Sequence, residues 1–179
     1  MSGISLKRTA YHEAGHAVMS LFLRCRFQHV SIVPDTNRNS LGQTGTKGER
    51  AYVETYHQAE PLTRNRIMAE KYILVALAGI AAERILTGRK IKAGSYQDGL
   101  TAWYYMDQLV YEEDEVKAYS EWLLARAENL LRLQANWFAV ETLANKLLME
   151  KYIGSKRAHE IIRAAWKDSV PQFKNPPEE

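Results

Sequence analysis

The sequence lacks the features that mark secreted and membrane-spanning chains. Cys25 is its single cysteine, so an intrachain disulfide cannot form, which suits a reducing compartment. The longest apolar run covers residues 72–82, much shorter than the ~20 residues that cross a bilayer. The N-terminus lacks the basic-then-apolar order of a secretory leader. These absences predict a soluble, cytoplasmic protein with no membrane span.

A large excess of one charge is also missing. The 24 lysines and arginines nearly balance the 21 aspartates and glutamates, and the formal net charge is +3. A nucleic-acid-binding surface is expected to show a dense basic block interleaved with aromatic side chains. The basic residues of this sequence are scattered and form no such block. The composition therefore gives no reason to expect a nucleic-acid partner.

Apolar residues recur mostly at helical spacing, so the sequence predicts a mainly α fold. The alternating, β-branched residues 27–33 predict a strand after the first helix, and residues 41–46 predict a second strand in a small sheet. The first helix is expected to begin at a cap formed by Ser5, and the second to cover residues 61–86. A third should run from 97 or 98 to about 111, and helical spacing continues from 112 with a break near 134–136. The last helix is expected at 156–167. We expect one domain over residues 1–169 and a disordered, proline-containing tail over residues 170–179.

The first helix contains two histidines four residues apart, His12 and His16, with Glu13 directly after the first. This is the His-Glu-x-x-His pattern of zinc hydrolases. On a helix, positions four apart lie ~40° from each other and one turn above, so both imidazoles can bind one metal. Glu13 is ~100° round from His12, where it can take a proton from a metal-activated water. The pattern predicts two metal ligands and a general base.

A third protein ligand is needed, because catalytic zinc takes three and keeps a further position for water. Spacing alone cannot choose it, since it comes from a separate helix. Asp98 has the most suitable surroundings, because a Gly/Ser-containing turn enters a helix there and restrains its short side chain. Glu83 follows an apolar segment, and we favour a paired charge at the edge of the core over a group that supports a ligand. The open candidates are Glu70, Glu83, Asp98, Asp107, Asp114 and His159.

The chain resembles the FtsH-type ATP-dependent zinc metallopeptidases. The likeness covers, in order, residues 10–18, 30–34, 41–42, 78–83, 94–98 and 126–162. It implies a helical FtsH-like peptidase domain in which His12, His16 and Asp98 bind Zn²⁺ and Glu13 is the general base. It also implies that the strand after the active-site helix, at Val30, Ser31 and Ile32, pairs with an extended substrate.

The resemblance also has departures. Members of that family carry an ATPase module and transmembrane helices, but no Gly-rich loop ending in Gly-Lys-Ser/Thr occurs here. The paired glycines of the family are Ala78-Gly79, and its second glutamate is Arg84. We therefore expect a stand-alone zinc metalloendopeptidase domain that cleaves flexible or unfolded protein segments.

Partners are expected among proteins rather than nucleic acids. The first expected partner is the protein or peptide substrate. The resemblance also implies either further copies of this chain in a homo-oligomer or a separate ATPase. The alternative function is a non-cleaving, zinc-bound adaptor or regulatory domain built on the same fold.

Overall fold

The computed structural model describes residues 3–34, 43–45, 63–90 and 96–169. Within these ranges the chain forms six helices and three short strands. In chain order they are α1 (Gly3–Phe22), β1 (His29–Ser31), β2 (Gln43–Gly45), α2 (Thr63–Thr87), α3 (Tyr96–Met106), α4 (Glu113–Arg132), α5 (Gln134–Glu150), β3 (Tyr152–Gly154) and α6 (Ser155–Ser169). The predicted mainly helical fold, with a small sheet after the first helix, is confirmed.

Helix α2 is the central element because its middle is apolar on all sides. It packs against α1, α3 and α4, while α5 packs against α1 and α6. All six helices contribute buried side chains to one core, among them Met19, Ile73, Ala102, Leu123, Leu143 and Ile162. The core thus holds α1 firmly between α2 and α5.

Helices α1 and α2 cross at small residues. A Cβ atom built on Gly15 of α1 would lie 2.7 Å from the carbonyl oxygen of Ala78 and 2.7 Å from the Cβ of Ala82, both on α2. Real Cβ atoms do not approach other atoms so closely, so only glycine allows this crossing distance. The short separation brings the histidine face of α1 against α2.

The sheet is antiparallel with the strand order β2-β1-β3. Val30 of β1 lies opposite Thr44 on one side and Ile153 on the other. Strand β3 was not predicted, because three residues between two helices are too short to show a period of two. It joins the C-terminal part of the chain to the region that follows α1.

Several predicted boundaries need correction. Helix α1 begins at Gly3, so Ser5 lies inside its first turn and not before it. Helix α3 ends at Met106 and not near 111, and α6 begins at Ser155 itself. The break between α4 and α5 is at Leu133, next to the predicted 134–136. Helix α2 ends where expected, before Gly88 with a φ of 65°.

Two further expectations stay predictions. The proposed tail, residues 170–179, lies outside the described residues, and the single-domain boundary at 169 is not tested. None of the helices in the described ranges is long and apolar enough to cross a membrane.

The tight crossing predicts opposite effects for two glycine-to-alanine changes. Gly15→Ala places a Cβ against α2, so it should lower the free energy of unfolding by about 1–3 kcal/mol. Gly99→Ala is the control, because no atom of the described residues lies within 4 Å of a Cβ at that position in α3; it should raise the free energy by about 0.5–1 kcal/mol. Urea denaturation measures both. Equal stability of Gly15→Ala and wild type would contradict the crossing.

Candidate metal centre

Helix α1 presents His12 and His16 one turn apart on a buried face, each only 6% exposed. Their Nε2 atoms lie 3.0 Å from each other. Asp98, in the first turn of α3, brings its Oδ2 to 2.9 Å from His12 Nε2 and 3.2 Å from His16 Nε2. Three side chains from two helices thus direct one donor atom each to a common point. Among the described residues, this is the group of side chains that could hold a metal ion.

The spacing of these donor atoms fits zinc. Zinc bonds to nitrogen and oxygen are about 2.0–2.2 Å long, so tetrahedral ligand atoms lie roughly 3.3 Å apart. The observed separations of 2.9–3.2 Å are slightly shorter, and a small outward movement of the side chains would admit the ion. Two imidazole nitrogens and one carboxylate oxygen are also a donor set that zinc accepts.

The other ring nitrogen of each histidine is occupied. His16 Nδ1 lies 2.7 Å from the carbonyl oxygen of Val75, and His12 Nδ1 lies 2.9 Å from Glu83 Oε1. A carbonyl and a carboxylate can only accept here, so both Nδ1 atoms donate a hydrogen. In a neutral imidazole this leaves the Nε2 lone pair for a metal, and it fixes the orientation of the ring.

Glu83 combines the two roles that the sequence left as alternatives. Its Oε1 accepts from His12, and its Oε2 accepts from Arg8 Nε at 3.0 Å. Burial disfavours its charged form, but the hydrogen bonds from His12 and Arg8 outweigh this and hold the pKa of Glu83 below its usual value. A paired charge at the edge of the core therefore also supports a candidate metal ligand.

Glu13 lies beside the donor atoms without being one of them. The residue is 5% exposed, and its Oε2 accepts a hydrogen bond of 2.9 Å from Thr44 Oγ1 on β2. Burial raises the pKa of Glu13, although the neighbouring histidines and the Thr44 hydrogen bond oppose the rise. A carboxylate with a raised pKa is a stronger proton acceptor.

Hydrogen bonds and charges within the cluster shift the pKa values of its members in opposite directions. Burial lowers the pKa of His12, but hydrogen bonds with Asp98 and Glu83 outweigh it and raise the pKa to about 10. Burial raises the pKa of Asp98, but the charges and hydrogen bonds of His16 and His12 outweigh burial and lower it below its usual value. Because metal ligation needs the unprotonated Nε2 atoms, binding of a metal must displace protons from this cluster.

Gly79 of α2 faces the same point. A Cβ built there would lie 2.5 Å from the Nε2 atoms of both His12 and His16. The sequence indicated only that small residues in this helix permit tight packing. It did not show that Gly79 leaves the space in which the two imidazoles meet.

The remaining candidates for the third ligand lie elsewhere. Glu70 forms an ion pair within α2, and His159 packs edge-on against the ring of Phe27. Asp107 and Asp114 are exposed. Of the six candidates, Asp98 alone has an oxygen beside both histidines.

The predicted substrate-pairing segment needs correction. Val30 and Ser31 lie in the middle strand, with β2 on one side and β3 on the other, and Ile32 N donates to Lys151 O at 2.9 Å. All three residues are buried. Because their backbone is already paired, an extended substrate would have to add at an outer strand of this sheet. Strand β2 is the outer strand that contacts Glu13, through Thr44.

Two histidines and a glutamate on one buried helix, with a carboxylate from a second helix, define a metallopeptidase type of centre. Comparison with known proteins agrees with this class. The sequence model of Peptidase family M41 matches residues 1–112, and the chain belongs to this family. The predicted FtsH-type peptidase domain is thereby confirmed.

The similar curated proteins are named ATP-dependent zinc metalloprotease FtsH. Those of Rickettsia felis, Rickettsia conorii and Rickettsia prowazekii are each 32% identical to this chain over 101 residues. The matched segment is 55% of this chain and 14% of each relative. The chain therefore corresponds to a small part of these longer proteins.

Gly79→Ala should abolish metal binding, because its Cβ would lie where the two imidazole nitrogens meet. Wild type dialysed against zinc should retain about one ion per chain, and Gly79→Ala should retain almost none. Elemental analysis measures the metal, and a far-ultraviolet circular dichroism spectrum distinguishes a lost site from a lost fold. Gly99→Ala serves as the control that keeps its zinc. Full zinc content in a folded Gly79→Ala would contradict this placement.

Proposed function

We propose that this chain is a zinc metalloendopeptidase domain that hydrolyses peptide bonds in flexible or unfolded protein segments. The observation that carries the proposal is the convergence of His12 Nε2, His16 Nε2 and Asp98 Oδ2 within 3.2 Å, beside a buried glutamate. Membership of Peptidase family M41 supports it, as do the relatives that are named zinc metalloproteases.

His12, His16 and Asp98 would hold the zinc ion. When bound, Zn²⁺ would supply a Lewis acid that polarises the scissile carbonyl and lowers the pKa of a water molecule toward ~7. The hydrogen bonds from Nδ1 of the two histidines keep both rings turned with Nε2 toward the common point. Asp98 adds a negative charge, so the donor set as a whole suits a divalent cation.

Glu13 would act as the general base. It would take a proton from the attacking water and pass it to the leaving amine as the peptide bond breaks. Thr44 occupies Oε2 of this carboxylate, so we assign the proton transfer to Oε1. Burial favours the role, because a carboxylate with a raised pKa accepts a proton more readily.

The burial of the centre restricts the substrate. Both histidines are 6% exposed, and the Asp98 side chain is 27% exposed. A scissile bond on the surface of a folded protein cannot come close to such donor atoms, whereas an extended segment can. The relatives are named ATP-dependent, so we propose that an ATPase delivers such extended segments to this site and that several copies of the domain assemble.

Glu13→Gln should separate metal binding from catalysis. The amide keeps the shape of the side chain but cannot accept the proton, so zinc content should stay at the wild-type level while cleavage of unfolded casein falls by at least about 10²-fold. Gel electrophoresis and elemental analysis measure the two quantities. Cleavage by Glu13→Gln at the wild-type rate would show that the base is assigned wrongly. Zinc-loaded wild type that never cleaves casein would favour the adaptor alternative.

Asp98→Asn should weaken zinc binding itself. The neutral amide oxygen is a much weaker zinc donor than the carboxylate, so zinc binding should weaken and activity should fall as the metal is lost. Asp107→Asn is a matched control, since it removes an exposed carboxylate shortly after the same helix. Zinc affinity measured by competition with a chelating dye should fall for Asp98→Asn only. Equal affinities for the two variants would exclude Asp98 as a ligand.

A further inference from the structure

A chain of hydrogen bonds links the surface of α1 to the candidate metal centre. The Arg8 side chain is 47% exposed, and its Nε and Nη2 atoms lie 3.0 and 2.5 Å from Glu83 Oε2. The other oxygen of Glu83 lies 2.9 Å from His12 Nδ1. Arg8 therefore contacts the group that holds a metal-ligating imidazole, although it does not approach the donor atoms itself.

Arg8 offsets the cost of burying the Glu83 carboxylate. The Glu83 residue is 8% exposed, and a buried carboxylate is unfavourable unless charged or polar partners compensate it. The guanidinium supplies a full positive charge and two donors to one oxygen. Without these two hydrogen bonds, the contact with His12 would be left to hold the carboxylate, which could then turn away from the imidazole.

The position of the Glu83 carboxylate matters because it accepts the hydrogen bond that orients the His12 imidazole. An ionised carboxylate that accepts from Nδ1–H strengthens the imidazole as a ligand and fixes the rotation of its ring. His16 has a backbone carbonyl, that of Val75, in the corresponding place. The two histidines are therefore held differently, and only His12 is connected to a charged side chain at the surface through this contact.

We propose that Arg8 is a positioning residue, which acts through Glu83 to set the strength of His12 as a metal ligand. The inference rests on the proposed zinc site and adds a residue to it. It differs from a simple surface ion pair, which contributes little to stability. Loss of Arg8 should therefore change the zinc affinity much more than the thermal unfolding of the metal-free protein.

Arg8→Met tests the inference against Lys7→Met. Both variants remove one positive charge from neighbouring positions of α1, but Lys7 is directed to the ring of Tyr11, 5.7 Å from its centroid. Competition with a chelating dye should show zinc binding about 3–10-fold weaker in Arg8→Met, and Arg8→Lys should recover part of the loss. Lys7→Met should bind zinc as wild type does. The melting temperature of each metal-free variant serves as the check on folding.

A double variant shows whether Arg8 acts through Glu83. Glu83→Gln should weaken zinc binding by about 10–100-fold, and Arg8→Met should then cause no further loss in that background. The visible spectrum of the cobalt-substituted protein gives a second readout, because it reports the ligand field: it should shift in Arg8→Met and not in Lys7→Met.

Three results would overturn the proposal. Arg8→Met that binds zinc within twofold of Lys7→Met would show that Arg8 forms only a surface pair. Independent, additive losses from Arg8→Met and Glu83→Gln would show that Arg8 does not act through Glu83. Wild type that binds no zinc would contradict the proposed function, and this inference with it.

Discussion

The close crossing of α1 and α2 is the constraint on which the site depends. Gly15 lets the two helices approach, and Gly79 leaves room for His12 and His16 where a larger residue would collide with them. Both histidines are buried by this contact, and α2 also supplies Glu83 to one imidazole and the Val75 carbonyl to the other. A single helix–helix contact therefore sets the position, the orientation and the surroundings of two donor atoms.

The second helix contact completes the donor set. Helix α3 packs mainly on α2, and its first turn carries Asp98 to the two histidines. The sheet carries Thr44 to Glu13. The metal donors and the candidate base are thus steadied by different elements. Such separation allows the carboxylate of Glu13 to remain outside the donor cluster although it is adjacent to His12 in the sequence.

Local features of the centre were accessible from the sequence, and long-range ones were not. The spacing of His12, Glu13 and His16 follows from helix geometry alone, and resemblance pointed to Asp98. The sequence could not predict that Glu83 both pairs with Arg8 and supports His12, because these two residues contact it from another helix. Strand β3 and the central place of β1 depend on pairing between residues over 120 positions apart, so no local pattern in the sequence could show that the backbone at Val30 is already paired.

A crystal structure of the zinc-loaded protein, with anomalous scattering recorded at the zinc edge, tests the metal assignment most directly. The expected result is one anomalous peak about 2.0–2.2 Å from His12 Nε2, His16 Nε2 and a carboxylate oxygen of Asp98, with Glu83 hydrogen-bonded to His12 and not to the metal. A peak whose third protein ligand is Glu83, or a zinc ion bound away from these histidines, would contradict it.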